Sequence, residues 1–479
     1  MTVTFNFSYK KYPILNGVID NIVDAEMKGL ISDLQALIRH PSVSAKRRGL
    51  IDCAKSVADI MNKAGIKSQI LYLDSARSGN NSDYFPAPPV VYGEVKSQSN
   101  PNGKTILFYN HYDVQPEDPI ELWDADPFSG KVEGDCIFGR GSADDKGELI
   151  TRIKAVEYYL KKTGDIPCNV KYIVEGEEEI GSVHLEQYLT QYREKLKCDG
   201  VIWEFGYVNV DSRPVISLGM KGLLYVEFIA KGPNRDAHSS LAVLIENPAW
   251  RLIRALNTLR DDKGKILIRD WYKDVREFTR EELCTLSRDS FDEHEFKKEY
   301  QIRTFINNVA GIDAIKALVG MATCNIAGLT SGYTGEGAKT VLPAIATAKL
   351  DFRLVPNMVP EKQFTRLKDH LKENGFDNDI EAKIIHGEAA IRTSINDPFV
   401  KQVEESANEI FGSSIISISS AGTGPMYPFV KILNAPCISV GSTYVFSRIH
   451  SPNEFARIDL LNKATKCIGR VIEKFARSN

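Results

Sequence analysis

Apolar residues recur along the chain with two spacings, and the changes of spacing mark its elements. Met27, Leu30, Ile31, Leu34 and Leu37 fall near one face of a 3.6-residue repeat, which predicts a helix over 22–38. Residues 54–64 read as a second helix, stopped by Gly65. Ser68-Gln-Ile-Leu-Tyr-Leu and Pro89-Val-Val-Tyr-Gly predict strands on either side of a polar loop at 74–83. Thr105-Ile-Leu-Phe-Tyr is a short buried-looking strand that ends in Asn110-His111-Tyr112-Asp113. A helix with Leu149, Ile153, Val156 and Leu160 as its stripe follows the glycine-rich stretch 139–147 and stops at Gly164. Val170-Lys-Tyr-Ile-Val runs into Glu175-Gly176-Glu177-Glu178-Glu179, and Gly200-Val-Ile-Trp runs into Glu204. Buried-looking strands that alternate with helices predict an α/β fold, a central sheet flanked by helices. The strand ends that carry acids or a histidine place its polar residues at the edge where open α/β sheets bind ligands.

The pattern changes near Arg213. Leu223-Leu-Tyr-Val-Glu-Phe-Ile-Ala and Ala346-Thr-Ala-Lys-Leu-Asp-Phe-Arg-Leu-Val alternate strictly, as half-exposed strands do. Helices are predicted at 247–259 and 360–374, and a third strand at 380–385, while 262–320 is charged and helical in character. This order is that of a small two-layer α+β domain. The chain therefore divides into a discontinuous catalytic domain, 1–212 and 388–479, and an inserted domain, 213–387. The first resumes with a helix at 398–411, strands at 414–419 and 437–440, and a last helix at 460–475.

At 479 residues the chain exceeds one compact core, in line with two domains. Net charge is -3 with both signs interspersed, so neither nucleic acid nor a membrane surface is an expected partner. No run approaches 18 apolar residues, and residues 1–20 do not resemble a signal peptide. The eight cysteines lack any CxxC pair, which points to reduced thiols, a cytoplasmic protein and no thiolate-held zinc.

Imidazole and carboxylate remain as the candidate chemistry. His111 has an acid two residues on, and a ligating imidazole needs its second nitrogen held by an acceptor. Glu177-Glu178-Glu179 follow an apolar strand and are closed by Gly181. Glu204 sits in an apolar run, where an unpaired carboxylate is costly and either a metal or a basic partner compensates. His111 and His450, the latter in the loop before the final helix, with several acids and no thiolate suit zinc, manganese or cobalt, and a shared aspartate can hold two ions for displacement chemistry.

His111-x-Asp113, Gly139-Arg-Gly-Ser-Ala-Asp-Asp-Lys-Gly, Glu175-Gly-x-Glu-Glu-x-Gly-Ser and His450-Ser-x-Asn-Glu resemble the co-catalytic dinuclear zinc peptidases. That family includes glutamate carboxypeptidase, aminoacylase, succinyl-diaminopimelate desuccinylase and the carnosine dipeptidases. Gly232-Pro-Asn-x-Asp-x-His238-Ser, Gly337-Ala-Lys-Thr-Val-x-Pro343 and Phe352-Arg-Leu-Val-Pro-Asn-Met358 are most similar to its cytosolic non-specific dipeptidase branch. The similarity runs from about 25 to 475, with the motifs in the family's order.

The resemblance implies a site at the strand ends that binds two divalent ions, zinc first, with manganese or cobalt as alternatives. Asp144 would bridge them; His111 and Glu204 would complete one ion, Glu179 and His450 the other. Asp113 would orient His111. Glu178 would be the general base for a water held between the ions, and a cis peptide would join Asp144 to Asp145. The inserted domain would act as lid and dimerisation domain. In the implied homodimer it would bring His238 to a partner's site to stabilise the oxyanion, with Thr340 reaching across similarly. Arg353 would bind the substrate's terminal carboxylate, in a pocket lined by Gly422, Thr423 and Gly424. The substrate would be a dipeptide or short peptide. Glu204 departs from the dipeptidase branch, which usually has Asp there; Glu is more typical of the carboxypeptidases and deacylases. Carboxypeptidase or N-acyl-amino-acid deacylase activity therefore stands as the alternative, and a non-catalytic binding protein on the same fold as a distant one.

Overall fold

The computed structural model describes residues 17–73, 87–286 and 293–477, so the polar loop expected at 74–83 and the chain before Gly17 lie outside the described residues. Two compact units share the chain. One comprises the chain up to Val215 with Lys401–Ser414 and the chain from Val440; the other comprises Ile216–Val400 and Ile415–Ser439. The units change over after Val215 and after Val400, where the sequence suggests changes after 212 and after 387. The strands Ile415–Ser417 and Cys437–Ser439 group with the second unit, where the sequence alone suggests the first.

In the first unit five strands run in the order Lys67–Leu71, Val90–Val95, Asn169–Glu175, Thr105–His111, Gly200–Trp203. The first two pairings are antiparallel and the last two parallel. Register pairs His111 with Glu175. Three parallel strands thus finish at one edge: one ends on His111, one ends directly before Glu204, and one ends three residues before Glu178. Their apolar runs are buried on both faces, as parallel strands under helices require.

The helix Lys146–Thr163 packs against the Thr105–His111 strand on one side and the helix Ile458–Arg477 on another. Residues 146–159 are therefore all buried, polar ones included, which a one-sided stripe does not foretell. The helix expected over 22–38 is broken at Glu26 into Asp20–Ala25 and Met27–Ile38.

The second unit is built on an antiparallel sheet in the order Asn325–Ser331, Ile345–Leu354, Gly222–Lys231, Ile380–Glu388. Alternation along the central pair buries Leu224, Val226 and Phe228 with Leu350, Phe352 and Leu354, against Leu252 of the helix Pro248–Asn257 and Leu367 of Pro360–Glu373. The edge strand Asn325–Ser331 has no counterpart in the sequence reading. It is mostly exposed, holds a glycine and is bulged between Ile326 and Gly328, so it lacks a strand's apolar rhythm. The charged stretch 262–320 carries the helices Arg280–Leu286, Glu293–Glu299 and Gly311–Gly320, with a small core of Leu286, Ile315 and Val319 on Ile418. Among the described residues no helix is long and apolar enough to cross a membrane.

Candidate metal centre

The three parallel strand ends deliver side chains to one place. His111 is the last residue of its strand, Glu178 and Glu179 follow the strand ending at Glu175, and Glu204 directly follows Trp203. Gly176 makes the turn after Glu175 feasible: a Cβ there would lie 2.2 Å from the Tyr112 hydroxyl. Asp144 comes from the turn ahead of the Lys146–Thr163 helix, and its peptide to Asp145 is cis. His450 comes from the loop before the Phe455–Arg457 strand, at a left-handed φ of 58°.

The donor atoms form two groups. One ligand atom each from His111, Glu178 and Glu204 lie within 4.8 Å of one another, as do one each from Asp144, Glu179 and His450. Asp144 joins the groups. Its Oδ1 lies 3.1 Å from His111 Nε2, and its Oδ2 lies 3.2 Å from His450 Nε2. His450 Nε2 is also 3.2 Å from Glu179 Oε2, and His111 Nε2 is 3.7 Å from Glu204 Oε2. A tetrahedral ion with bonds of 2.0–2.1 Å spaces its ligand atoms by roughly 3.3 Å, so these separations suit donors around a cation. His111 Nδ1 faces the Asp113 carbonyl at 3.0 Å; Nδ1 therefore donates, which leaves Nε2 as the ring atom that a cation between it and the acids would take.

Charge makes the same demand. Burial, and then the Glu178 carboxylate, push Glu204 well above the usual carboxylate range. Burial with the neighbouring acids Glu179, Asp144 and Asp113 likewise raises Glu178, although His111 opposes this. Hydrogen bonding to Asp144 and Glu179 pushes His450 up to about 10. Burial favours neutral His111, but Glu204, Asp113 and Asp144 hold its imidazole well above the ordinary histidine range. Glu204 Oε2 is buried without a hydrogen-bond partner. Too much negative charge is gathered for two imidazoles to balance, and an orphaned carboxylate oxygen faces the gathering point. The residues present fit divalent cations.

A family model described as Peptidase family M20/M25/M40 matches residues 107–474, a span that takes in every one of these donors. The chain belongs to this family. Among its relatives, the Cys-Gly metallodipeptidase dug1 of Schizosaccharomyces pombe is 31% identical over 360 residues, 73% of this chain and 74% of that one. The Beta-Ala-His dipeptidase of Homo sapiens is 29% identical over 378 residues, 77% of this chain and 74% of that one. The crystal structure of Sso-CP2, an M20 family metallo-carboxypeptidase from Sulfolobus solfataricus, superposes with a TM-score of 0.84 at 39% identity, covering 93% of this chain and 99% of that one. The chain is a metal-dependent enzyme that hydrolyses peptides.

Much of the bracing in this M20 peptidase comes from residues the sequence reading assigned no role. Glu454, quoted in a motif but given no function, ties the Asp144 turn to the His450 loop. Its Oε1 accepts from the backbone N–H groups of Gly141, Ala143 and Asp144 at 3.1, 3.0 and 3.1 Å, and its Oε2 accepts from Arg140 at 2.8 Å. The Arg152 guanidinium donates to the carbonyls of Tyr109 at 2.7 Å and Trp203 at 2.9 Å and to Asn110 Oδ1 at 2.9 Å, which ties two strand ends together. Lys146, placed by the sequence on a helix start where a surface cation is ordinary, is fully buried and donates to the carbonyls of Leu37 and His40. Glu177 sits behind Glu178, with His184 Nδ1 3.0 Å from both its carboxylate oxygens. The carboxylate of Asp113 accepts from the N–H groups of Glu178 and Glu179 at 3.2 and 3.1 Å, so it holds the acidic loop as well as facing His111. Glu454 stands in a quoted motif and Asp113 has an expected role; periodicity and spacing carry no signal for the bonds that Arg152, Lys146 and Glu177 make.

The remaining residues of the expected site are in the second unit. His238 is exposed, and its Nδ1 accepts from the Ser240 N–H at 3.2 Å. Thr340 is exposed beside it, its carbonyl accepting from Ser239. Arg353 donates to Thr423 Oγ1 at 2.7 Å, and the N–H of Gly422 is turned onto Ser420 Oγ. Gly424 follows in the same loop, its carbonyl accepting from Met426.

Proposed function

We propose that this enzyme is a two-zinc dipeptidase that works as a cytoplasmic homodimer. The observation that carries the metal reading is the split of Asp144, one carboxylate oxygen to each histidine. His111, Glu204 and Asp144 would hold one ion, and His450, Glu179 and Asp144 the other. Two divalent cations supply, when bound, polarisation of the scissile carbonyl and acidification of the attacking water.

The chain's own groups do the rest. Glu178 takes the proton of the attacking water and delivers it to the leaving amine, a role supported by its place beside His111 and Glu204 and by surroundings that raise its proton affinity. Asp113, through the N–H groups of residues 178 and 179, keeps that carboxylate in place. His238 donates to the developing oxyanion; its Nδ1 is engaged as acceptor by Ser240, so the neutral ring carries its proton on Nε2. Arg353 pairs with the substrate's terminal carboxylate, with Thr423 aligning the guanidinium and Gly422 and Gly424 leaving room.

Dipeptides are favoured because two relatives that match about three quarters of the chain are dipeptidases. A second reading, carboxypeptidase or N-acyl-amino-acid deacylase, is favoured by Glu204 and by the 39% identity to Sso-CP2. An assay on dipeptides, tripeptides and N-acetyl-amino acids separates them. Activity is expected to fall at least ~100-fold after chelation and to return with zinc, manganese or cobalt at two ions per chain. Preference for tripeptides or N-acetyl-amino acids would replace the dipeptidase reading, and full activity in the metal-free enzyme would end the metal reading.

The homodimer is supported by the exposed edge strand Asn325–Ser331, which presents Ile326 and Leu329, and by Trp250 and Ile253, also exposed on the second unit. The eight free cysteines support the cytoplasm. Sedimentation under assay conditions is expected to give a dimer, and mixing inactive His238→Ala chains with inactive Glu178→Gln chains to restore part of the activity. A fully active monomer would remove the cross-subunit role of His238.

A further inference from the structure

Lys221 has no place in the mechanism above. It follows the short strand Gly219–Met220 in the second unit and is 3% exposed. Its ammonium donates to the Met321 carbonyl at 2.7 Å, and its own N–H bonds to the Ser420 carbonyl in the loop that carries Thr423. Arg353, bonded to Thr423, is the charged group that acts on it. Burial, with Arg353 adding to it, pulls the Lys221 ammonium down to about 8.

Two cations therefore share one corner, and among the described residues neither has an ion-pair partner. An ammonium has three donors and Lys221 spends one on Met321. Arg392, on the neighbouring strand opposite Gly219, is already matched by Glu282. A buried cation beside a half-buried one, without an anion, is unfavourable, and an arriving anion relieves both at once. One carboxylate balances one of the two charges and leaves the other.

We propose that Lys221 is a specificity-determining residue, forming with Arg353 a two-cation pocket that selects peptides whose C-terminal residue bears a second carboxylate, aspartate or glutamate. This rests on the reading of Arg353 as the anchor of the terminal carboxylate. Arg353 takes the α-carboxylate in a planar two-point grip, and Lys221 takes the side-chain carboxylate as a point charge.

The test compares kcat/KM for alanyl-glutamate and alanyl-glutamine, which differ in charge and hardly in shape, on the metal-loaded full-length enzyme. Both are measured on one enzyme sample, so their ratio does not depend on the folded fraction. The wild type is expected to favour alanyl-glutamate about tenfold, the worth of one charge-assisted hydrogen bond. Lys221→Met is expected to bring the ratio close to one and Lys221→Arg to keep most of the preference. A wild-type ratio of one or less, or a ratio unchanged in Lys221→Met, overturns the proposal. Arg353→Met is expected to lower kcat/KM for both peptides. If it leaves both at the wild-type value, the anchor reading fails and takes the proposal with it.

Discussion

Replacing Glu178 with glutamine is expected to lower kcat by about a thousandfold, the scale of a general base in a hydrolytic site. The amide keeps the shape of the side chain and loses its ability to take a proton. A separate measurement decides how the loss arises, because Glu178 lies in one donor group with His111 and Glu204. Metal content of the purified variant should remain at two ions per chain if the carboxylate works on water. A drop to one ion per chain would show that Glu178 holds metal, and the proton-transfer role would pass to another group. Near-full activity in the variant would remove it from the chemistry altogether.

Glu454→Ala is expected to be the most damaging substitution away from the donors. Arg140 and Glu454 are each 1% exposed at the side chain, and the same carboxylate accepts three backbone N–H groups of the Asp144 turn. Removing it strands a buried guanidinium and three donors together. Breaking a buried pair from one side costs about 3–5 kcal/mol, against which a whole domain is stable by only about 5–15. Denaturant unfolding should show that loss, and metal affinity should fall with it, since the carboxylate holds the Asp144 turn and its partner Arg140 holds the Ser451 carbonyl next to His450. An unchanged unfolding midpoint would mean the turn is held by other contacts.

The fold and the strand-end candidates are legible for one physical reason. Parallel strands buried on both faces are written as unbroken apolar runs, so a histidine or an acid at the end of such a run stands out, as with His111, Glu175 and Glu204. The roles given to the site residues came from the resemblance; periodicity and spacing suggested metal chemistry and left Asp144 and His450 without partners. What stayed hidden is polar and internal. Arg152 and Glu148 lie on a helix whose sequence shows one apolar stripe, yet both are buried, because Arg152 turns onto the carbonyl ends of the strands and Glu148 accepts from the N–H of Thr443. The edge strand Asn325–Ser331 was missed for the opposite reason: an exposed strand needs no apolar face. The groups Glu454–Arg140 and Glu177–His184 pair residues whose partnership depends on the folded path of the chain, or on a turn that periodicity does not describe.

The Arg152 guanidinium has a consequence for how the enzyme is assembled. It clamps the carbonyl ends of the His111 and Glu204 strands with protein-to-protein bonds, just as Glu454 clamps the Asp144 turn to the His450 loop. Because the chain makes these bonds itself, enzyme stripped of its ions is expected to keep its circular dichroism spectrum and to regain activity when a divalent ion is returned, so that one frame can be armed from more than one metal supply.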